Sequence, residues 1–134
     1  MGLPERKALA LYQQNVFPGW QKKFNELLGY PLELEVEWST LGEEGQAHLF
    51  EEGISVIYFE PLLQALNAIA VDDFSKQALR DGFKKYFVSG IEPADREFYS
   101  FSDKTLFYRH NFSGNENDIP DKKDRIVSLL EKNL

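Results

Sequence analysis

The sequence predicts an α+β fold, one domain over residues 1–134 in the order α-β-α-α-β-β-β-α, with a mainly antiparallel sheet and helices packed on a face of it. Three observations carry that expectation. Apolar residues recur at helical spacing near both ends of the chain and in its middle. An alternating apolar and acidic run follows the first helical segment. Two aromatic runs near residue 100 are separated by a short polar turn.

Pro4 suits a first helical position, and Leu9, Tyr12, Val16, Trp20, Phe24 and Leu27 follow at helical spacing until Gly29 caps the segment and Pro31 prevents its continuation. Pro18 lies inside it without an N–H to donate, so the helix is expected to kink or break between Asn15 and Gly19. Leu32, Leu34, Val36 and Trp38 then alternate with Glu33, Glu35 and Glu37, the pattern of a strand with one face toward a core and the other toward water. Ser39 to Gly53 has glycines and glutamates without clear periodicity and reads as a mobile loop, with a short strand around Ala47 to Phe50.

After the apolar run Ile54 to Phe59, Pro61 opens a helix to about Val71. Asp72 and Asp73 cap the next helix, Phe74 to Asp81, by accepting from its free amides, and Gly82 closes it. Phe83 to Val88 reads as a strand. Arg96 to Phe101 and Thr105 to Phe112, joined by Ser102, Asp103 and Lys104, read as a hairpin. Ser113 to Asp118 is a polar loop, and a last helix opens at Pro120 with Ile126, Leu129, Leu130 and Leu134 on one side.

Composition narrows the chemistry. The chain has no cysteine, which excludes disulfides, thiolate catalysis and Cys-ligated metal. No apolar run approaches the roughly 18 residues of a membrane span, and a cytoplasmic location is expected. Fifteen basic against 22 acidic residues give a net charge of −7, which repels phosphate backbones and anionic lipid. Neither nucleic acid nor membrane is an expected partner.

The segments Val16-Phe17-Pro18-Gly19-Trp20, Leu34-Glu35-Val36-Glu37-Trp38, Pro61 to Leu66 running into Asp72-Asp73 and Lys76, and Arg109-His110-Asn111-Phe112, with the closing Leu130-Glu131-Lys132, together resemble a group of small, uncharacterised bacterial α+β proteins. The sequence departs from them at Phe74-Ser75, where a small pair such as Met-Gly would follow the two aspartates. The resemblance implies a compact bacterial domain and carries over no catalytic residue.

Each candidate site has a structural alternative. His48 and His110 with Asp72 and Asp73 have the donor types of a metal site, but neither histidine stands at helical spacing from another ligand, so no metal and no other cofactor is expected. His110, on a strand face with Leu106, Tyr108 and Phe112, could move a proton or could be a core-edge imidazole. Glu33, Glu35 and Glu37 are spaced like the carboxylates of a glycosidase, and equally like the charges that keep an edge strand from pairing. Gly42-Glu43-Glu44-Gly45 would repel phosphate, and Lys22-Lys23 and Lys122-Lys123 read as helix-surface charges.

The expected binding residues are therefore Glu43, Glu44, Glu51 and Glu52 on the acidic segment, with Tyr108 and His110 on the hairpin. The first reading of function is a non-enzymatic module that docks a basic protein, as an immunity protein or inhibitor would. A small enzyme or ligand-binding protein with its site near His110, and a homodimer paired through aromatics, are the alternatives.

Overall fold

A computed structural model describes residues 1–94, 97–112 and 118–134. The first amphipathic segment forms two helices, α1 (Leu3–Asn15) and α2 (Phe17–Leu28), separated at Val16. The break falls inside the span where Pro18 predicts it. Pro18 lies at the start of α2, where a missing amide leaves no helical bond unmade. Gly29 ends α2 in the left-handed conformation, at φ 78°, and its N–H donates to the Asn25 carbonyl.

Strand β1 (Glu33–Val36) follows, then a 3-10 turn at Trp38–Thr40. The expected strand near Ala47 to Phe50 is not formed. Ala47–Leu49 is a 3-10 turn that leads into α3 (Phe50–Ile54), a π-helical stretch (Ser55–Phe59) and α4 (Glu60–Ile69). The helix predicted to begin at Pro61 thus belongs to helical backbone that starts at Phe50. Pro61 cannot donate within a regular helix and crowds the preceding turn, and the wider π turn just before it accommodates both effects.

Helix α5 (Asp73–Gly82) has Asp72 as its N-cap, as expected, with the Ser75 amide donating to Oδ1 at 2.7 Å. Strands β2 (Lys85–Ser89), β3 (Tyr99–Ser102) and β4 (Thr105–Arg109) precede α6 (Ile119–Asn133). The expected hairpin is β3–β4. Its turn is the pair Asp103-Lys104, both at positive φ, 50° and 60°, as a two-residue primed turn requires. The predicted strand start at Arg96 and most of the predicted loop 113–118 lie outside the described residues.

The four-stranded sheet has the order β1-β2-β4-β3. β1 and β4 both run parallel to β2, and only β3 is antiparallel to its neighbour. This corrects the expected mainly antiparallel sheet. The helical crossover from residue 50 to 82 returns the chain in the direction of β1, and β4 enters the slot between β3 and β2.

Helices cover the face that carries Leu34, Val36, Tyr86, Val88, Leu106 and Tyr108, and Phe24, Phe59, Leu62, Leu66, Ile126 and Leu130 complete the core against it. Tyrosine hydroxyls tie the layers together: Tyr86 Oη donates to the Tyr58 carbonyl at 2.6 Å and Tyr58 Oη to the His110 carbonyl at 2.8 Å.

Just beyond β2 the backbone of Gly90 lies against Thr40, whose Oγ1 accepts from the Gly90 amide at 2.8 Å. A Cβ at Gly90 would run into the Thr40 carbonyl oxygen and stand 2.7 Å from its carbon, and this neighbour is backbone that cannot rotate away. Gly90→Ala is therefore expected to cost about 1–3 kcal/mol in urea unfolding. Gly19→Ala, in a helix and with nothing within 4 Å of the new methyl, is expected to be neutral or stabilising.

Candidate functional site

Of the residues expected to bind, Glu51 lines one cleft and Tyr108 and His110 line another, while Glu43, Glu44 and Glu52 line neither. The first lies between α1 and the segment 47–51, about 340 Å³ in volume, with Ala8, Leu11, Tyr12, Asn15 and Val16 on one side and Ala47, His48, Phe50 and Glu51 on the other. Tyr12 and Phe50 are the buried lining residues, while Leu11 on the wall is 46% exposed, as is Leu49 between His48 and Phe50 in the chain. Tyr12 Oη shares a 2.7 Å hydrogen bond with Ser55 Oγ, which also accepts from the Trp20 indole at 3.1 Å, so one serine in the π turn holds both side chains. Burial pushes the Tyr12 hydroxyl up to about 12, against the lowering effect of the Ser55 and Trp20 hydrogen bonds.

Glu51 on its wall, and Glu43, Glu44 and Glu52 near it in the chain, are all exposed and have no ion-pair partner among the described residues. The segment read as a loop holds 3-10 turns at Trp38–Thr40 and Ala47–Leu49 and the start of α3. Gly42, at φ 84°, seats its backbone on the Phe50 ring, where any Cβ would collide, and this contact fixes the turn that carries Glu43 and Glu44. Glu51 and Glu52 occupy the first turn of α3, where carboxylates suit the helix dipole.

The second cleft, about 290 Å³, lies between the hairpin and the start of α6 and is lined by Phe98, Tyr99, Tyr108, His110, Asp118, Asp121, Lys122 and Arg125. Tyr108 and His110 do converge there. The His110 ring lies 4.5 Å from that of Phe98, and its Nδ1 is 3.9 Å from Glu92. Tyr99 stacks flat on Tyr108 at 4.3 Å, and burial raises the Tyr99 hydroxyl above its ordinary value. Lys122, expected on the surface, is buried at 9% exposure, and Arg125 holds Asp121 at 3.0 Å. No sequence signal marked Tyr99 or Lys122 for this cleft, because the contact between the hairpin and α6 joins elements that no motif links.

The remaining candidates stay apart from both clefts. Asp72 caps α5, and Asp73 is in its first turn. The hydrogen bonds from Ser75 hold the Asp72 carboxyl below its ordinary value, so the cap stays charged to lower pH than a free aspartate would. Among the described residues, no group of three or more His, Asp or Glu is placed to hold a metal ion, and no helix is long and apolar enough to cross a membrane.

Glu33 and Glu35 do lie on an edge strand, yet they do not simply face water. Lys85 Nζ on β2 bridges them at 3.3 and 2.5 Å, and the Glu35 contact leads the rise in the Lys85 pKa. The pair Lys22-Lys23 is surface charge as expected: Lys22 is 3.9 Å from Glu26, and Lys23 lies over the Trp20 ring. Comparison with family models, curated proteins and solved structures gives no match.

Proposed function

We propose that this chain is a non-enzymatic protein-binding module that docks a basic partner on the face formed by α1 and residues 42–52, in the manner of an inhibitor or immunity protein. The observation that supports the reading is the pairing of four free, exposed carboxylates with a small cleft whose buried lining residues are aromatic. Charge on the rim raises the encounter rate, and buried contact with Tyr12, Leu11, Phe50 and Leu49 holds the complex. Among the described residues that line the cleft, Glu51, beside His48, is the one charged side chain. A Lys or Arg side chain suits such a site, its stem along Ala8, Leu11 and Val16 and its head toward the carboxylates.

The test is a pull-down from the cell of origin, at low and high salt, with the native chain and with Glu43, Glu44, Glu51 and Glu52 all changed to Gln. A partner recovered by the native chain at low salt, and lost to high salt and to the Gln variant, is the expected result. Association should slow by roughly ten- to a hundredfold in the variant. The same proteins on both baits, or none on either, would overturn the reading.

A second reading, a small-ligand or catalytic site in the hairpin cleft, draws on the convergence of Tyr108, His110 and Lys122 there. It expects NMR shifts at those residues on titration with small anions and aromatic acids. Their absence across such a panel removes it.

A further inference from the structure

Strands β1, β2 and β4 are mutually parallel, and parallel strands are ordinarily buried on both faces. Here the core lies on one face alone. On the other, Phe87 of β2 and Phe107 of β4 are in register, with ring centroids 5.5 Å apart, and neither belongs to the core cluster or packs against it. The Arg109 guanidinium lies over both rings, 5.3 Å from one centroid and 4.8 Å from the other. Two half-buried phenylalanines joined by a stacked arginine make an aromatic island on an otherwise polar sheet face.

Charge is zoned across this face. Glu33, Glu35 and Glu37 run down the β1 edge, and Lys85 pairs with the first two, leaving one of their charges uncompensated. Glu37 donates its amide to the Val88 carbonyl and so stands level with Ser89, which pairs in register with Arg109. At that level one edge presents a free carboxylate and the next strand but one presents a cation, and neither has an ion-pair partner among the described residues. A two-fold axis running along β2 brings Glu37 of each copy over Arg109 of the other and lays Phe87 on its own symmetry mate. The face is complementary to itself.

The geometry points to this face as the docking surface for a second copy of the chain, which covers the parallel strands with a second sheet. The surface is distinct from the acidic α1 cleft and does not depend on its function. Four strands spaced at about 4.8 Å and about 17 Å long offer a few hundred Å² per copy, less than the roughly 800 Å² per partner of a permanent interface. The dimer is accordingly weak and concentration-dependent. A single nucleic-acid strand could also stack on two aromatic rings beside an arginine, but the acidic β1 edge and the net charge of −7 oppose it.

Sedimentation equilibrium of the intact chain, from about 10 µM to about 1 mM, is expected to show the average mass rise from 15.5 kDa toward twice that value. Arg109→Glu and Glu37→Arg should each raise the dissociation constant at least roughly tenfold, and the two together should restore it. Phe107→Ser should weaken it as much as either charge reversal, with far-UV circular dichroism unchanged. Three results would each overturn the proposal: a monomer throughout the range, a dimer indifferent to these substitutions, or a monomer that binds a single-stranded oligonucleotide through Phe87 and Phe107.

Discussion

Replacing Phe59 with alanine is expected to destabilise the fold by about 3–5 kcal/mol, a large part of the roughly 5–15 kcal/mol that holds a domain of this size together. Phe59 has no exposed surface, and it is the last residue of the π turn, where α3 gives way to α4. Its ring lies 6.4 Å from Tyr12, 5.7 Å from Phe17, 5.8 Å from Trp20 and 6.5 Å from Tyr86. It therefore joins α1, α2 and β2 at a single point. Truncation forfeits the transfer energy of the ring and leaves a void among other rings, which cannot collapse without leaving their own rotamers. Phe87→Ala supplies the contrast. Its ring is outside the core, so its loss should cost less than about 1.5 kcal/mol. Urea midpoints of the two variants measure the difference, and equal costs would refute this assignment of core and face.

Features that are local in sequence were legible before the fold was known. Pro18 marks the break between α1 and α2, Asp72 caps α5, and the interval between Phe101 and Thr105 makes the β3–β4 hairpin. Each of these is decided within a few residues by backbone donors and turn geometry. Strand direction is not local. The hairpin suggested an antiparallel sheet, whereas the long helical crossover between β1 and β2 was the better guide, since parallel strands need such a connection.

The π turn was missed for a different reason. Ile54 to Phe59 is apolar on every side because it is buried from several directions, so its period is hidden, and Pro61 looked like a beginning. The acidic segment and the pair Tyr108 and His110 were both found in sequence as candidates. What sequence could not say was that Glu51 alone of the acidic candidates lines a cleft, that Tyr108 and His110 line a different one, or that Lys122 from α6 joins the second. That grouping depends on the packing of hairpin against helix. The face carrying Phe87 and Phe107 was similarly hidden, because in β2 and β4 each alternating set carries an aromatic residue, Phe87 and Phe107 in one and Tyr86 and Tyr108 in the other, and the helix layer distinguishes them.

Raising the pH from 9 to 11 is expected to remove at least about 4 kcal/mol of stability, through tyrosines rather than through ion pairs. Tyr12, Tyr86 and Tyr99 each have a hydroxyl whose ionisation is driven upward, in every case chiefly by burial: Tyr12 to about 12, Tyr86 and Tyr99 further. In the folded chain these groups keep their protons at pH 11. In the unfolded chain they titrate at the ordinary value of 10.0, so above pH 10 the unfolded state holds fewer protons and is favoured. The contribution is thus fully present below pH 10 and is lost as pH rises toward the folded values. One unit above the unfolded value, each group loses about 1.4 kcal/mol, so these three alone give about 4 kcal/mol. Tyr30 acts in the same direction, since burial raises its hydroxyl as well, where it donates to the Leu79 and Phe83 carbonyls. The measurement is urea unfolding at pH 9 and pH 11, with tyrosinate absorbance followed in the same samples. Ionisation should appear together with unfolding rather than before it. Absorbance that rises fully at pH 10 in the folded protein would show that these hydroxyls are open to water and would refute the packing of Tyr86 and Tyr99 against the helices.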